Sequence, residues 1–583
     1  MTVKVDYDPK TRRLKLTCPF FLADAMRNFP AKRFDPKSKT WRMPLTRGNI
    51  DHLDKSKHII DYVLTEGAKD AIREYAAITS GPVYVPFPNH LYDFTRSSTG
   101  FAPMAHQQRM LDKVWNLDAA AWFAKMGTGK TFAAVHLACA RFNAGLIDSL
   151  VIICPSTLRA TWRKELAKYA TVDYDFRIHE TKASWLKDFY ALDVDRRDSG
   201  PRVLKILAVS VEGLGVSAGL YDSVCGFFIG REAMVINDES SRIKNPSALR
   251  TKRAIELSGH SKFRIILNGT PIAIGMEDLW SQYEFLDPNI IGSGDYWSFK
   301  TRYVTMGGYE QKQVVGYQNV EELMTLIEPY TVEVGKDVLN LPPKVMKTRY
   351  VAATKEQKNL LKLIKKGWGD DINDPLIKVD NVLERVLRWR QVVGGWLPRL
   401  DEATEKTVLE PLKDNPKMDS LFELIDDTFH GSKFIIWTPF VHEIEYIHDR
   451  LAAKYGPGAV RKYYGKTEKA DRSAIEDAYC NDPKMRFFIA NPQTAGLGLT
   501  LISGMDDIMI YYSGTNAYID RAQSEDRAHR IGQYRSVLVV DMVMEKTIDE
   551  HILAAIAEKM SVEEYIMTRL KNGTPLATLD LEG

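Results

Sequence analysis

Between Ala124 and Thr131 the chain reads AKMGTGKT, preceded by the apolar run AAAWFA and followed by the helix-forming FAAVHLACARF. Strand, loop, helix is the context in which a glycine-rich loop holds phosphates. Gly127 and Gly129, with Thr128 between them, let backbone N–H groups close on an anion at a helix N-terminus. Lys130 has the reach for β and γ phosphates, and the Thr131 hydroxyl suits magnesium. The general pattern has a further glycine where this chain has Ala124.

Further along, AMVINDESSRIKN places Asp238 and Glu239 at the end of an apolar run, where a carboxylate can meet the metal opposite such a loop. Asp238 is expected to bind magnesium, and Glu239 to polarise the attacking water as general base. Asp-Glu pairs are common in any chain, so the weight lies in their order and strand-end placement. In QSEDRAHRIGQ, Arg527 and Arg530 stand three apart and share one helical face. Arginines from another domain can neutralise charge on a transferring phosphoryl group, tying hydrolysis to closure of a cleft. On spacing alone they read as a solvated basic helix, and only the companion motifs make them catalytic candidates.

These residues need strands to position them. From about Phe101, short β-branched runs (AAWFA, SLVIICP, VLKILAVS, AMVIND, FRIILNG) alternate with helix-length segments. Runs this apolar suit strands covered on both faces, as in a parallel sheet wound with helices. The alternation returns in KFIIWTPF, AVRKYYG, MRFFIAN, DDIMIYY and SVLVVDMV. The expected class is therefore α/β, two lobes of parallel sheet wound with helices at 97–290 and 417–560. Residues 291–416 lack such runs and read as a helical insertion, and 561–583 as a C-terminal helix and tail.

Ahead of the lobes, residues 1–60 read as a small α+β domain joined by a connector over 61–96. YDPKTRRLKL and FDPKSKTWRM align at an offset of 27 residues, each with an Asp-Pro-Lys turn between alternating residues, so hairpin, helix, hairpin is expected. This stretch holds fourteen Lys/Arg against six Asp/Glu, a local +8 in a chain whose total is +3. Phe20, Phe21, Phe29, Phe34 and Trp41 are interleaved with those cations. Cations for phosphates beside flat faces for bases make Lys32, Arg33 and Trp41 candidate nucleic-acid contacts, although aromatics are more often core.

Composition excludes other classes. With 583 residues, 45% hydrophobic and 27% charged, the chain is globular, with room for three or four domains. No apolar stretch approaches the roughly 18 residues of a membrane span, and MTVKVDYDPK has no secretory core. A cytoplasmic, membrane-free protein is expected. The five cysteines never fall two or three residues apart, which removes the usual zinc ribbons.

The ordered motifs resemble the Swi/Snf-type branch of superfamily-two helicases, which are DNA-dependent translocases. HQQRML is similar to the glutamine motif, implying an adenine contact for Gln107. CPSTLRATWRKEL resembles the motif whose backbone, here near Ser156 and Thr157, follows one DNA strand. DESSRIKN is similar to the branch's DEAHRIKN, and implies a DNA contact for Lys244. LNGTPIAIGMEDLWSQYEFLDP resembles the coupling motif, centred on Thr270. In the second lobe KFIIWTPF, YYGKT, PQTAGLGLTL and DRAHRIGQ match in order, implying DNA contacts for Thr494 and Gly496 and coupling roles for Gly498 and Gln523. The likeness covers about Phe101 to Leu553 and implies two RecA-like lobes hydrolysing ATP with Mg²⁺. FPAKRFDPKSKTWRMP also resembles the HARP domain of annealing helicases, which directs that family to forked DNA.

Three departures touch carried-over roles: Ser241 replaces the histidine of DEAH, Asn268 a usual threonine, and Ala273 and Ile274 a Gln-Asn pair. The resulting expectation is an ATP-dependent motor on duplex or forked DNA, serving fork remodelling or strand annealing, with displacement of polymerase or other proteins from DNA as the alternative. RNA is disfavoured by the RIKN element, and protein partners are not legible. A non-catalytic scaffold is disfavoured by the intact Lys130, Glu239 and Arg530.

Overall fold

In the computed structural model, residues 2–558 are described except 10–12, 27–28, 30–31, 46, 59, 80–83, 181–188, 191–201, 270, 272–274, 308–312, 340, 367–381, 402–405, 428–431, 496–498 and 531. The expected tail over 561–583 lies outside these, as do Thr270, Ala273, Ile274, Gly496 and Gly498. The chain divides into two compact units, Met1–Val338 and Leu339–Gly583. Among the described residues no helix is long and apolar enough to cross a membrane.

The first unit opens with a five-stranded sheet in the order β3-β4-β2-β1-β5, built from β1 (Thr2–Asp8), β2 (Arg13–Thr17), β3 (Arg33–Asp35), β4 (Thr40–Pro44) and β5 (Asp61–Leu64). β1 with β2 and β3 with β4 are antiparallel hairpins, separated by a short helix, α1 (Ala23–Met26). Alternation along β1 and β2 sends Val3, Val5, Leu14 and Leu16 into the core and Lys4, Arg13 and Lys15 to the other face. The helix α2 (Arg47–Ser56) precedes β5. This domain runs past residue 60: β5 pairs parallel with β1, and α3 (Glu66–Thr79) adds Ala68, Ala71 and Tyr75 to its core. The sequence hid the extension because a four-residue strand is too short to show periodicity.

A seven-stranded, wholly parallel sheet follows, in the order β14-β6-β11-β10-β7-β9-β8. Its strands are β6 (Ala119–Ala124), β7 (Ser149–Cys154), β8 (Tyr174–Ile178), β9 (Leu204–Ser210), β10 (Ala233–Asp238), β11 (Phe263–Asn268) and, after the hairpin β12 (Val304–Gly307) and β13 (Gln313–Tyr317), β14 (Thr331–Val334). Every residue of β6, β7 and β10 is buried, as helix-covered strands require. Because β6, β11 and β10 are neighbours, their carboxyl ends bring Ala124, Asn268 and Asp238 to one edge. Ligands of open α/β sheets gather at such an edge.

The second unit holds a six-stranded parallel sheet, β15-β22-β21-β18-β20-β19. Its strands are β15 (Lys344–Val351), then, after a hairpin of β16 (Trp396–Asp401) and β17 (Lys406–Pro411), β18 (Lys433–Trp437), β19 (Val460–Tyr463), β20 (Phe487–Ala490), β21 (Asp507–Tyr511) and β22 (Val537–Met544). Phe434 and Ile436 pack in one apolar layer, Ile435 and Trp437 in the other.

The helical insertion expected over 291–416 is corrected. That interval contains β12 to β17, and β14 and β15 are edge strands of the two main sheets. Edge strands are covered on fewer sides, so TVEV and KVMKTRYV carry no continuous apolar run. Val345, Met346 and Tyr350 are exposed.

Candidate active site

Gly127 (φ 83°) and Gly129 (φ 84°) both adopt the left-handed conformation that glycine reaches without steric cost. Gly129 caps α5 (Lys130–Asn143) with no side chain bonded to the helix end, which leaves first-turn N–H groups to an anion. Thr128 is fully buried and closes the loop, its hydroxyl donating to the Lys125 carbonyl at 2.7 Å. Its own carbonyl accepts from Gln107 Nε2 at 3.1 Å and bonds His106 Nε2 at 2.8 Å. A Cβ on Gly129 would run into the Gln107 amide. Gln107 Oε1 in turn accepts from Met104 N at 2.9 Å, at the start of α4 (Ala105–Val114). In this arrangement the glutamine fixes the phosphate loop. His106 shares that duty and was passed over in the sequence, where HQQRML drew attention only to its glutamine. Ala124 fits without glycine because it is the last residue of β6, paired with Val334. Lys130 Nζ donates to the Ala124 carbonyl at 2.6 Å.

Asp238 ends β10 and is buried. Its Oδ2 accepts from the Trp162 indole at 3.0 Å, Trp162 lying on α6 (Arg159–Tyr169), and its Oδ1 from the Glu239 amide at 3.0 Å. Burial, and secondly the neighbouring Glu239, push the Asp238 carboxyl above its usual range, while the Lys130 ammonium pulls it back. The cation of the loop and the carboxylate therefore share one electrostatic environment. Glu239 sits at φ 57°, ψ 54°, left-handed for a residue with a Cβ, at a cost of about 1–2 kcal/mol. Such strain concentrates at functional sites.

The oxygen donors fit a hard cation such as magnesium: the Asp238 carboxylate and, in the first turn of α5, the Thr131 hydroxyl. Among the described residues no three His, Cys, Asp or Glu side chains group as metal ligands. Two protein donors completed by phosphate oxygens and water is how Mg²⁺ is held in nucleotide sites.

Beside this pair lies a buried polar cluster that sequence reading missed. Ser240 Oγ donates to Gln282 Oε1 at 2.6 Å, and Asn268 Nδ2 donates to Ser240 Oγ at 3.2 Å and Gln282 Oε1 at 3.3 Å. Gln282, on α7 (Asp278–Leu286), donates to the carbonyls of Pro271 at 2.8 Å and Asp278 at 2.9 Å. All three side chains have no exposure. The residue after the expected base is thereby bonded to the segment that resembles the coupling motif. Asn268, which departs from the family pattern, is a working member of this cluster; Ser241 beside it is half-buried. A glutamine spaced among Leu279, Phe285 and Leu286, with Asp278 as its polar neighbour on that helix face, was the available signal.

Of the expected DNA contacts in this unit, Ser156 is exposed, with its amide donating to Glu212 Oε2 at 3.1 Å. Thr157 is half-buried, and Lys244 pairs with Asp278 at 3.5 Å. In the N-terminal domain Lys32 and Arg33 are exposed. Trp41 instead packs partly against the core and meets the Phe34 ring at 5.1 Å, while Phe29 is wholly core. Of that pair, Phe34 is the exposed ring.

In the second unit the two arginines separate. Arg527 is buried, its guanidinium donating to the carbonyls of Gln523 at 2.9 Å and Leu499 at 3.1 Å. Arg530 is half-exposed and reaches Thr500 Oγ1 at 2.9 Å. Both hold the segment after 496–498; Thr494 and Gln523 are half-buried nearby in sequence. Also unsuspected was Arg521, on the helix Tyr518–Glu525, which lies 3.4 Å over the Tyr511 ring and binds Asp541 and Glu525.

Comparison with known proteins bears on this geometry. The SNF2-related domain matches residues 106–393, and the helicase conserved C-terminal domain residues 416–532. Among curated relatives, the CHD3-type chromatin-remodeling factor PICKLE of Arabidopsis thaliana is 26% identical over 481 residues, 77% of this chain and 32% of the relative. The chromatin structure-remodeling complex subunit snf21 of Schizosaccharomyces pombe is 27% identical, over 57% of this chain and 29% of its own. The DNA excision repair protein CSB of Oryza sativa is 24% identical, over 73% and 38%. The chain thus spans about a third of the length of these relatives. Among solved structures, the Sulfolobus solfataricus SWI2/SNF2 ATPase core with dsDNA covers 83% of this chain and 95% of its own, at 22% identity and a TM-score of 0.35.

Proposed function

The chain belongs to the SNF2-related, helicase-like ATPases, and from that membership we propose that it hydrolyses ATP when bound to DNA and uses the cycle to move along the duplex. The observation that carries this reading is the gathering of the Lys130 loop, Asp238 and the strained Glu239 at the carboxyl edge of one parallel sheet.

In this chemistry the α5 N-terminus and Lys130 bind the β and γ phosphates, and Thr131 and Asp238 hold Mg²⁺. Magnesium, when bound by these residues, would supply positive charge to offset that of the phosphates. Glu239 orients a water and takes its proton as the water attacks the γ phosphorus. Gln107 and His106 keep the loop closed on the nucleotide. Arg530, the more accessible arginine of DRAHRIGQ, supplies charge to the transferring phosphoryl group, and Arg527 holds the Leu499–Thr500 segment beside it. The Ser240–Asn268–Gln282 cluster links the base to the coupling segment.

We further assign the motor to forked DNA, in fork remodelling or strand annealing, on the strength of the +8 carried by residues 1–60 with their paired hairpins. ATPase rate measured without nucleic acid, with single strand, duplex, fork and RNA tests both levels. Stimulation by duplex and more by fork is expected. No stimulation by any DNA, or stimulation by RNA alone, would overturn the motor reading.

A further inference from the structure

Where the N-terminal sheet meets the first lobe there is a cavity of about 700 Å³, lined on one side by Arg33, Phe34 and Arg42 and on the other by Glu284 and Asp295. Its walls are fixed. Arg13 forms an ion pair with Asp295 and donates to Ser298 Oγ at 3.1 Å, while Asp295 Oδ1 caps α8 (Tyr296–Tyr303) through the Ser298 amide at 2.7 Å. At Gly292 a Cβ would stand 2.6 Å from the Tyr75 ring and 2.7 Å from the Leu45 carbonyl, so the domain is seated closely beside the opening.

The lining is chemically mixed. Arg13, Arg33 and Arg42 are matched by Asp35, Glu284 and Asp295, and Arg42 pairs with Asp35 at 2.8 Å. A phosphate inside would face three carboxylates. A nucleobase suits the same lining, its ring acceptors facing guanidinium and its exocyclic amines facing carboxylate. Phe34, 45% exposed and backed by Trp41, offers a face for stacking. Leading to this opening, Arg33, Arg42 and Lys15 stand directly opposite one another across β3, β4 and β2. Asp35 offsets the Arg42 charge, and Arg33 and Lys15, which flank Arg42 in register, are the cations that a phosphodiester chain laid across the row would meet.

We propose that this cavity receives one unpaired base of a DNA strand whose backbone crosses the Arg33–Arg42–Lys15 row. The site therefore reads the presence of an unpaired nucleotide, which intact duplex does not offer. It rests on the DNA-bound reading above, and supplies the chemical basis on which a fork would be told from a duplex.

Fluorescence anisotropy of the full chain without nucleotide, using a fork with an unpaired arm, the same fork with abasic residues in that arm, and a blunt duplex, tests it. The intact arm should bind about tenfold tighter than the abasic arm, as one stacked base allows. Phe34→Leu should erase that difference and leave duplex binding and duplex-stimulated ATPase within about twofold, and Glu284→Gln, from the opposite wall, should narrow it. Equal binding of intact and abasic arms by the parent chain overturns the proposal whatever the variants do. So does a Phe34→Leu loss that is equal on all three probes, since the ring would then act on the fold or the backbone and not on a base. Failure of the motor reading shows separately, as absent DNA stimulation of ATPase, because the binding assay contains no ATP.

Discussion

Trp162 donates its indole N–H to Oδ2 of Asp238 at 3.0 Å, so a tryptophan from the helix after β7 orients the carboxylate at the end of β10. Asp238 Oδ1 is occupied by the Glu239 amide, which leaves the carboxylate one fixed rotamer.

Trp162→Phe keeps the bulk of this buried side chain and removes the donor. A lost hydrogen bond to a carboxylate is worth about 1.5–3 kcal/mol, and the looser ligand should raise the magnesium concentration for half-maximal ATPase about tenfold. Thermal stability should fall by a comparable amount, since the donor and part of the buried ring are both lost. A magnesium titration unchanged from the parent would show that the indole only fills space.

Lys130→Ala should abolish ATPase by weakening nucleotide binding, whereas Glu239→Gln should bind ATP normally and hydrolyse it at least a hundredfold more slowly, as loss of a general base predicts. Equilibrium binding of a fluorescent ATP analogue alongside single-turnover hydrolysis separates the two. Normal turnover in Glu239→Gln would remove the base assignment.

The arginines of DRAHRIGQ should part company. Arg530→Ala should reduce kcat strongly with small changes in KM and Tm. Arg527→Ala deletes a buried donor to two carbonyls, and should destabilise the second unit by about 2–4 kcal/mol. Calorimetry with steady-state kinetics decides it, and equal Tm losses in both variants would refute the distinction.

Gln282→Leu removes the acceptor shared by Ser240 and Asn268 and leaves two buried polar groups short of a partner. A cost of about 2–4 kcal/mol follows, and DNA stimulation of ATPase should shrink more than the basal rate. If basal and stimulated rates fall in parallel, the cluster is structural alone.

In the second unit Glu443 is fully buried, accepting from Thr438 Oγ1 and from Ser513 Oγ at 2.9 Å, and burial pushes its carboxyl up to about 7 against the opposing Lys417 and Arg390 charges. The folded state holds this proton more tightly than the unfolded chain, so the site favours folding below the ordinary carboxylate range near 4.5 and loses that contribution as pH rises to about 7. Glu443→Gln should therefore stabilise the unit at pH 8, on the order of 2 kcal/mol, and flatten the slope between those values. Denaturant melts at pH 5 and 8 check the sign.

Legibility in the sequence followed burial. AAAWFA, SLVIIC and AMVIND could be read as strands because both faces are covered, and the loop glycines because only glycine reaches φ 83° and 84° cheaply. TVEV and KVMKTRYV were absorbed into a helical insertion because edge strands lack that apolar continuity. Lys130, Asp238 and Glu239 were found by local spacing. Trp162, Ser240 and Gln282 were not, because their roles are set by partners 76 and 42 positions away. Nor does spacing tell a buried arginine such as Arg527 from an accessible one such as Arg530.

The pairing of β15 with β22 sets an order of events at birth. β15 leaves the ribosome first and its neighbour, beginning at Val537, nearly two hundred residues later. At 5–20 residues per second that is roughly ten to forty seconds in which a strand with exposed Val345, Met346 and Tyr350 has no partner. In the first sheet β6 waits about as long for β14, but it gains β11 on its other edge well before that. A nascent chain stalled before Val537 would present open strand edges on β15 and β21 to its neighbours, which makes the second unit the part most dependent on chaperones and most prone to aggregate when truncated.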